Sequence, residues 1–373
     1  MDVLIDQCLD CLSSTVLTNS DYREAFSRPF MSAKVSDSSL RDLGESLAID
    51  THELENKAKN VIRRLLTAIH KHSGCPIDRF CVTGSISHQP DNAYDSFGFD
   101  ITVFVDCKLS HGQVEHGESE HAECSIQSAD KIYAALQGIV SGARFDHFGM
   151  HFDLEGYGFH VAVTPSFAHK MHLQRKAVWD LIEARDKMNR LTQSDLEKFS
   201  LSLHESLGSF MHMGDPVYSD LIRLSRLWRQ TVLLAEGCEE LSALAVVLIM
   251  TRCIDDEKAR GMTVTSPSGR GLGIHPFPVQ SVFTAFLEAL GELETLKISY
   301  QRFYEPDLVP ERHLAKTPLI LDPVNPWRNV IHSLSREGMQ RITTIAQSAL
   351  KTLQSPDATL ADLFRIPMKT RGG

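Results

Sequence analysis

The sequence lacks what marks a chain built to span a membrane, to be exported or to coat nucleic acid. No apolar run approaches the about 20 residues that a membrane span needs. The longest, Leu241 to Met250, stops between Glu239, Glu240 and Arg252 and reads as a buried helix. The opening residues, MDVLIDQCLDCLSS, carry no positive n-region and read as the start of a helix, not a signal peptide. Cysteines number eight, and Cys8 and Cys11 form the only close pair. Without paired metal-knuckle arrays they read as free thiols in a reducing compartment. Positive charge is scarce too: 38 Lys and Arg against 48 Asp and Glu leave a formal −10 at pH 7. That balance argues against holding nucleic acid by bulk charge. No internal repeat is visible. The expectation is a cytoplasmic or nuclear protein, neither secreted nor transmembrane.

What is present suits a globular protein. The 373 residues are 42% hydrophobic and 23% charged, enough for one large or two closely packed domains. Residues 38–70 carry helical spacing, with Leu54, Ala58, Val61, Leu65 and Ile69 on one face, and predict a long helix. A short apolar strand, Arg79 onward, runs into Gly84-Ser85. A polar loop, Ile86 to Ser96, leads to a second strand, Phe99 to Val105. Residues 145–163 read as a hairpin turning at Gly156-Tyr157-Gly158. The insert Lys108 to Glu123 is acidic and rich in histidine, and reads as a surface loop before a helix over Ala129 to Leu136. From Ala168 onward the pattern is helical, over 172–190, 194–209, 218–236, 240–253, 278–293 and 335–354. The Gly-, Pro- and Ser-rich stretch Gly261 to Pro278 interrupts it as a long loop. The expected class is α+β (mixed α/β). The expected division is a core with N-terminal helices over 1–205, a helical domain over 206–366 and a tail over 367–373.

The strand, Gly84-Ser85, the polar loop and a second strand bearing Asp100 resemble the opening of the nucleotidyltransferase fold. Leu221 to Gln230 (LIRLSRLWRQ), Val279 to Tyr304 and Pro318 to Pro326 (PLILDPVNP) resemble blocks of its 2′-5′-oligoadenylate synthetase and cyclic GMP-AMP synthase-like branch. The resemblance implies a core with a central mixed sheet and a C-terminal helical lobe. It also implies a reaction in which converging carboxylates hold two Mg²⁺ ions against a triphosphate and an attacking hydroxyl. In the family two aspartates lie two residues apart on one strand, where period two gives them one face, and a third comes from a neighbouring strand. The Gly-Ser turn cradles phosphate.

Carried over residue by residue, the pattern is incomplete. Gly84 and Ser85 are present, and Asp100 matches the second aspartate. Gly98 stands at the first position, and alignment on Pro165 puts Ala162 at the third. Pro90 removes an N–H from the phosphate loop. The expectation is a degenerate site without cofactor, in a pseudoenzyme that binds a protein partner. That partner would be a homologous nucleotidyltransferase-fold protein or a second copy, within an RNA-associated or immune-type complex. The alternative is an atypical Mg²⁺-dependent, template-independent nucleotidyltransferase that uses Asp100 with Asp153 or Glu155. A third reading is an RNA or nucleotide sensor without catalysis.

Other residues carry two readings each. Arg226 matches the family lysine at the donor triphosphate, with Arg223 and Gln230 one turn away; together they form a phosphate-binding face or a solvated one. Arg252, Lys258, Arg260 and Arg270 form a basic strip for RNA, opposed by Asp255, Asp256 and Glu257. His111, His116, His121 and Cys124 bear zinc-ligating side chains at spacings of 5, 5 and 3, where structural zinc sites use tighter pairs. His147 and His160 flank the third-carboxylate strand and read as ordinary cleft polar groups. Phe277, Pro278, Val279, Val282 and Phe283 make either an apolar docking patch or part of the helical core.

Overall fold

A computed structural model describes residues 29–47, 51–84, 97–106, 118–145, 149–212, 216–260, 278–300, 303–304 and 308–366. Helices α1 (Asp37–Ser46) and α2 (Thr51–His72) precede strands β1 (Ile77–Gly84) and β2 (Phe97–Val105). Helix α3 (Glu118–Gln137) leads to β3 (Arg144–Phe145), β4 (Met150–Leu154) and β5 (Tyr157–Pro165). The helical half holds α4 (Met171–Lys187), α5 (Gln193–Ser202), α6 (His204–His212), α7 (Pro216–Trp228), α8 (Ala243–Ala259) and α9 (Val279–Gly291). Short β6 (Lys297–Ile298), α10 (Glu311–Leu314) and β7 (Leu319–Ile320) follow, then α11 (Arg336–Gln354) and α12 (Leu360–Leu363).

The main sheet runs β1-β2-β5-β4-β3, with β2 and β5 parallel and the other pairs antiparallel. Strict alternation gives it two unlike faces. Phe99, Ile101, Val103 and Val105 of β2, with Phe159 and Val161 of β5, point to one side. They pack on Val61, Leu65 and Ile69 of α2 and Ile132 and Leu136 of α3. The other side presents Asp100 and Thr102 of β2, His160 of β5 and Thr83 of β1, and the helical lobe covers it. A buried sheet face this polar needs partners for every group, and that requirement shapes the site.

The lobe has its own core around Trp228, Phe283, Phe286 and Phe364. Val178, Ile182, Leu196 and Leu203, which precede the expected boundary at 205, belong to this core, as do Leu40, Leu43 and Leu47 of α1. Several local expectations change. The helical spacing over 38–70 is split between α1 and α2. That over 194–209 is split between α5 and α6, where Leu203 leaves helical geometry. The helix placed at Ala129 begins at Glu118. The hairpin turns at Glu155-Gly156, with φ of 54° and 84°, and Gly158 belongs to β5. Positive φ at both central residues is the geometry of the tight turns that match strand twist. Val279, Val282 and Phe283 are fully buried in the lobe, so they fill its core and do not form a docking patch. Phe277 and the stretch 261–277 lie outside the described residues.

Candidate functional site in the polar cleft

Asp100 sits mid-sheet with Thr83 across one ladder and His160 across the other. It is 3% exposed. His160 donates from Nδ1 to Asp100 Oδ1 at 3.1 Å. The other oxygen, Oδ2, and His160 Nε2 are buried without a hydrogen-bond partner among the described residues. His151, the β4 residue opposite His160, stacks on it with ring centroids 4.4 Å apart and planes 12° from parallel. Two residues further along the ladder, Thr102 pairs with Ala162.

A second imidazole enters from the lobe. His204, at the start of α6, is 3% exposed. Its Nδ1 lies 2.6 Å from Thr102 Oγ1 and its Nε2 3.2 Å from Thr83 Oγ1. Burial pushes this imidazole below its ordinary pKa; Asp100 and Asp322 oppose that shift and His160 adds to it. Beside it, Thr164 of β5 and Ser202 of α5 share a hydrogen bond.

Gly149 makes room for this cluster. A Cβ there would lie 2.3 Å from the Val161 carbonyl oxygen and 2.7 Å from His160 Nε2. Gly149→Ala is therefore expected to prise β4 from β5 and lower stability by about 1–3 kcal/mol, read as a lower denaturant midpoint with an unchanged slope.

The other expected site residues scatter. Asp153 pairs with Gly158 on β4, two strands from β2, which is about 10 Å across the sheet. Glu155 ion-pairs with Arg64 of α2 at 2.5 Å. Arg223 is buried against Asp220 and donates from Nε to the Gly44 carbonyl at 3.2 Å, so it ties α7 to α1. Arg226 and Gln230 are half-buried, and Gln230 lies in a π-helical turn, Arg229–Leu233. Arg252 of α8 pairs with Asp256 at 3.0 Å, and Arg260, the C-cap of that helix, with Glu257 at 2.9 Å; Lys258 lies in the last turn of α8. Ser85, His111, His116, His147 and Arg270 lie outside the described residues, and His121 and Cys124 fall in α3. Among the described residues, no group of three or more His, Cys, Asp or Glu is placed to hold a metal ion.

Comparison with solved structures adds the fold. The structure of E. coli MS115-1 CdnC with ATP matches with a TM-score of 0.50 at 15% identity, over 88% of this chain and 90% of that one. This is the nucleotidyltransferase fold. The complex of E. coli MS115-1 CdnC with HORMA-deltaN matches at 0.48 and 14% identity, over 88% and 90%. The Vibrio cholerae di-nucleotide cyclase DncV with ATP, GTP and 5MTHFGLU2 matches at 0.42 and 9%, over 99% and 89%. No family model and no curated protein matches the chain.

In the described part of this nucleotidyltransferase fold the Asp100 carboxylate accepts from an imidazole, and the neighbouring ladder positions carry Thr83, Thr102, His160 and Ala162. Among the described residues, no helix is long and apolar enough to cross a membrane. His204, Thr83, Thr102 and His151 went unread in the sequence. The polar residues alternating with Phe99, Ile101 and Val103 along β2 were the available signal for Thr102. Nothing local marks His204, because its role depends on which helix covers the sheet.

Proposed function

We propose that the chain is a nucleotidyltransferase-fold pseudoenzyme of the oligoadenylate synthetase and cyclic GMP-AMP synthase-like branch that acts by binding a protein. The observation that carries this reading is Asp100: its carboxylate is buried and hydrogen-bonded to His160, and among the described residues no group of three or more His, Cys, Asp or Glu is placed to hold a metal ion. Bridging a triphosphate and a hydroxyl through two cations takes several converging carboxylates. One carboxylate shared with an imidazole offers too little negative charge.

Loss of chemistry leaves binding, and the charge pattern favours protein over RNA. The α8 arginines are matched by acids one turn away, and the −10 formal charge opposes a polyanion. The edge strand β3 offers an apolar contact: Phe145 is 52% exposed and meets Tyr133 of α3 edge-on at 5.5 Å. Ile126, 64% exposed, lies two turns before Tyr133 on the same helix face. A homologous fold or a second copy seated there is the partner proposed, in a reducing compartment where Cys75, Cys238 and Cys253 stay thiols.

Turnover decides the first half of this reading. The purified chain, incubated with ATP and GTP in Mg²⁺ or Mn²⁺, is expected to give no product above buffer, and Asp100→Asn is expected to behave identically. Metal-dependent product that disappears in Asp100→Asn would establish the atypical enzyme instead.

A further inference from the structure

We propose that the outer face of the helical lobe carries a binding site for a small, hydroxyl-bearing phosphomonoester, built by Arg341 of α11 and Arg365 after α12. The site shares no residue with the polar cleft and does not depend on whether the cleft has lost its chemistry.

A cavity of about 480 Å³ opens there, walled by Glu236, Arg341, Thr344, Ile345, Ser348 and Arg365, a volume within the range of small-molecule sites. Four of these residues come from one face of α11, at positions i, i+3, i+4 and i+7. Ile345 is buried and makes an apolar floor. The polar side chains stand around it.

Arg365 sits where the backbone asks for another residue. Helix α12 ends in a Schellman turn, with Ile366 N donating to the Ala361 carbonyl at 2.9 Å and Arg365 N to that of Asp362 at 3.4 Å. Such a turn places the residue after the cap in the left-handed region, where glycine is the default. Arg365 occupies it with φ of 50°, so what it brings is its side chain. That guanidinium crosses to Glu236. Arg341 reaches the same turn from α11, for a Cβ on Gly237 would lie 3.6 Å from its Nη1. Two guanidiniums therefore converge on the turn at 234–237.

The charges around the cavity favour an anion that bridges the two cations. Arg341 pairs with Glu337, one turn earlier on α11, at 3.3 Å; both are exposed, so the pair is weak. Glu240, also near Arg341, is taken by Ser335 N and Oγ. Lys351 adds a further positive charge one turn beyond Ser348. Arg365 has five N–H donors and can hold Glu236 and a ligand oxygen together. A phosphate group offers three acceptor oxygens and suits guanidinium forks. The remaining polar atoms suit hydroxyls. Thr344 Oγ1 donates to the Gln340 carbonyl at 2.9 Å, so toward a ligand it accepts. Glu236 gives one oxygen to Arg365 and keeps the other for a ligand hydroxyl. A sugar phosphate has this combination of groups.

Isothermal calorimetry of the full chain with ribose 5-phosphate, with ribose and with inorganic phosphate tests the site. Ribose 5-phosphate should bind once per chain, at least about tenfold more tightly than either fragment. Arg341→Gln should weaken that binding by about tenfold or more. Arg365→Gly separates a ligand role from a structural one. Glycine suits the turn and the exposed pair with Glu236 adds little, so the thermal midpoint should hold or rise while affinity falls by about tenfold. A lower midpoint with unchanged affinity would make Arg365 a structural strap and overturn the site. Equal affinity for inorganic phosphate and ribose 5-phosphate would show an adventitious ion only. Absence of saturable binding, or binding that neither variant weakens, overturns the proposal as well.

Discussion

Arg79→Met is expected to lower the unfolding free energy by about 3–5 kcal/mol, because it strands buried charges that now neutralise one another. The Arg79 guanidinium ion-pairs with Asp78 and with Glu205 of α6, donates to Ser166 Oγ at 3.0 Å and the Ala168 carbonyl at 3.1 Å, and lies 4.1 Å over the Phe104 ring. One side chain therefore joins the sheet, the crossing from β5 to α4, and the lobe. Methionine preserves much of the contact with Phe104 but leaves Asp78, which is 8% exposed at its side chain, with Ser166 and His169 as its side-chain partners among the described residues. Burial pushes the Asp78 carboxyl up, but the Ser166 and His169 hydrogen bonds and the Arg79 charge outweigh it and hold it below the usual carboxylate range. Its contribution is full above the ordinary value of about 3.9 and fades as pH falls through the depressed one. In Arg79→Met that acid-side slope should shrink. Urea unfolding at neutral pH and at pH of about 3.5 measures both effects.

Asp322→Ala should cost about as much, roughly 3–5 kcal/mol, through the lobe alone. Asp322 is fully buried. Its carboxylate accepts from Val324 N at 3.0 Å, Asn325 N at 3.2 Å and Arg328 Nη1 at 3.1 Å, folding the segment after β7 into a tight loop. The Val324 carbonyl in that loop accepts from Trp179 Nε1 at 2.8 Å. Alanine leaves two amides and a guanidinium unpaired, and Arg328 Nε is already without a partner among the described residues. Adding Arg328→Met to Asp322→Ala should restore part of the loss, because it removes the stranded cation. A double-mutant cycle with no coupling would show that the pair is incidental.

The sequence made the fold legible because its strongest signals are local. Alternation along Phe99–Val105 and helical spacing along 218–236, 278–293 and 335–354 are each visible within one element. The expected mixed sheet followed by a helical lobe is the architecture found. Boundaries between neighbouring helices were less legible. Leu203 leaves the helix through tertiary docking of α5 and α6, which its propensity does not announce. The site was half legible. Asp100, Gly98 and Ala162 were named from a motif, yet the register sets Asp100 against His160 and Ala162 against Thr102. Arg223 lay on the expected helix face, but that face is buried against α1. The basic strip on α8 was offset by acids three and four residues away, a pairing that helix spacing alone predicts.

Isothermal calorimetry of the wild-type chain with ATP and with GTP, with and without Mg²⁺, tests the central claim most directly, with the molar mass followed by light scattering on the same sample. The account predicts no magnesium-dependent nucleotide binding, together with the mass of a stable dimer. Magnesium-dependent binding that Asp100→Asn abolishes would contradict it.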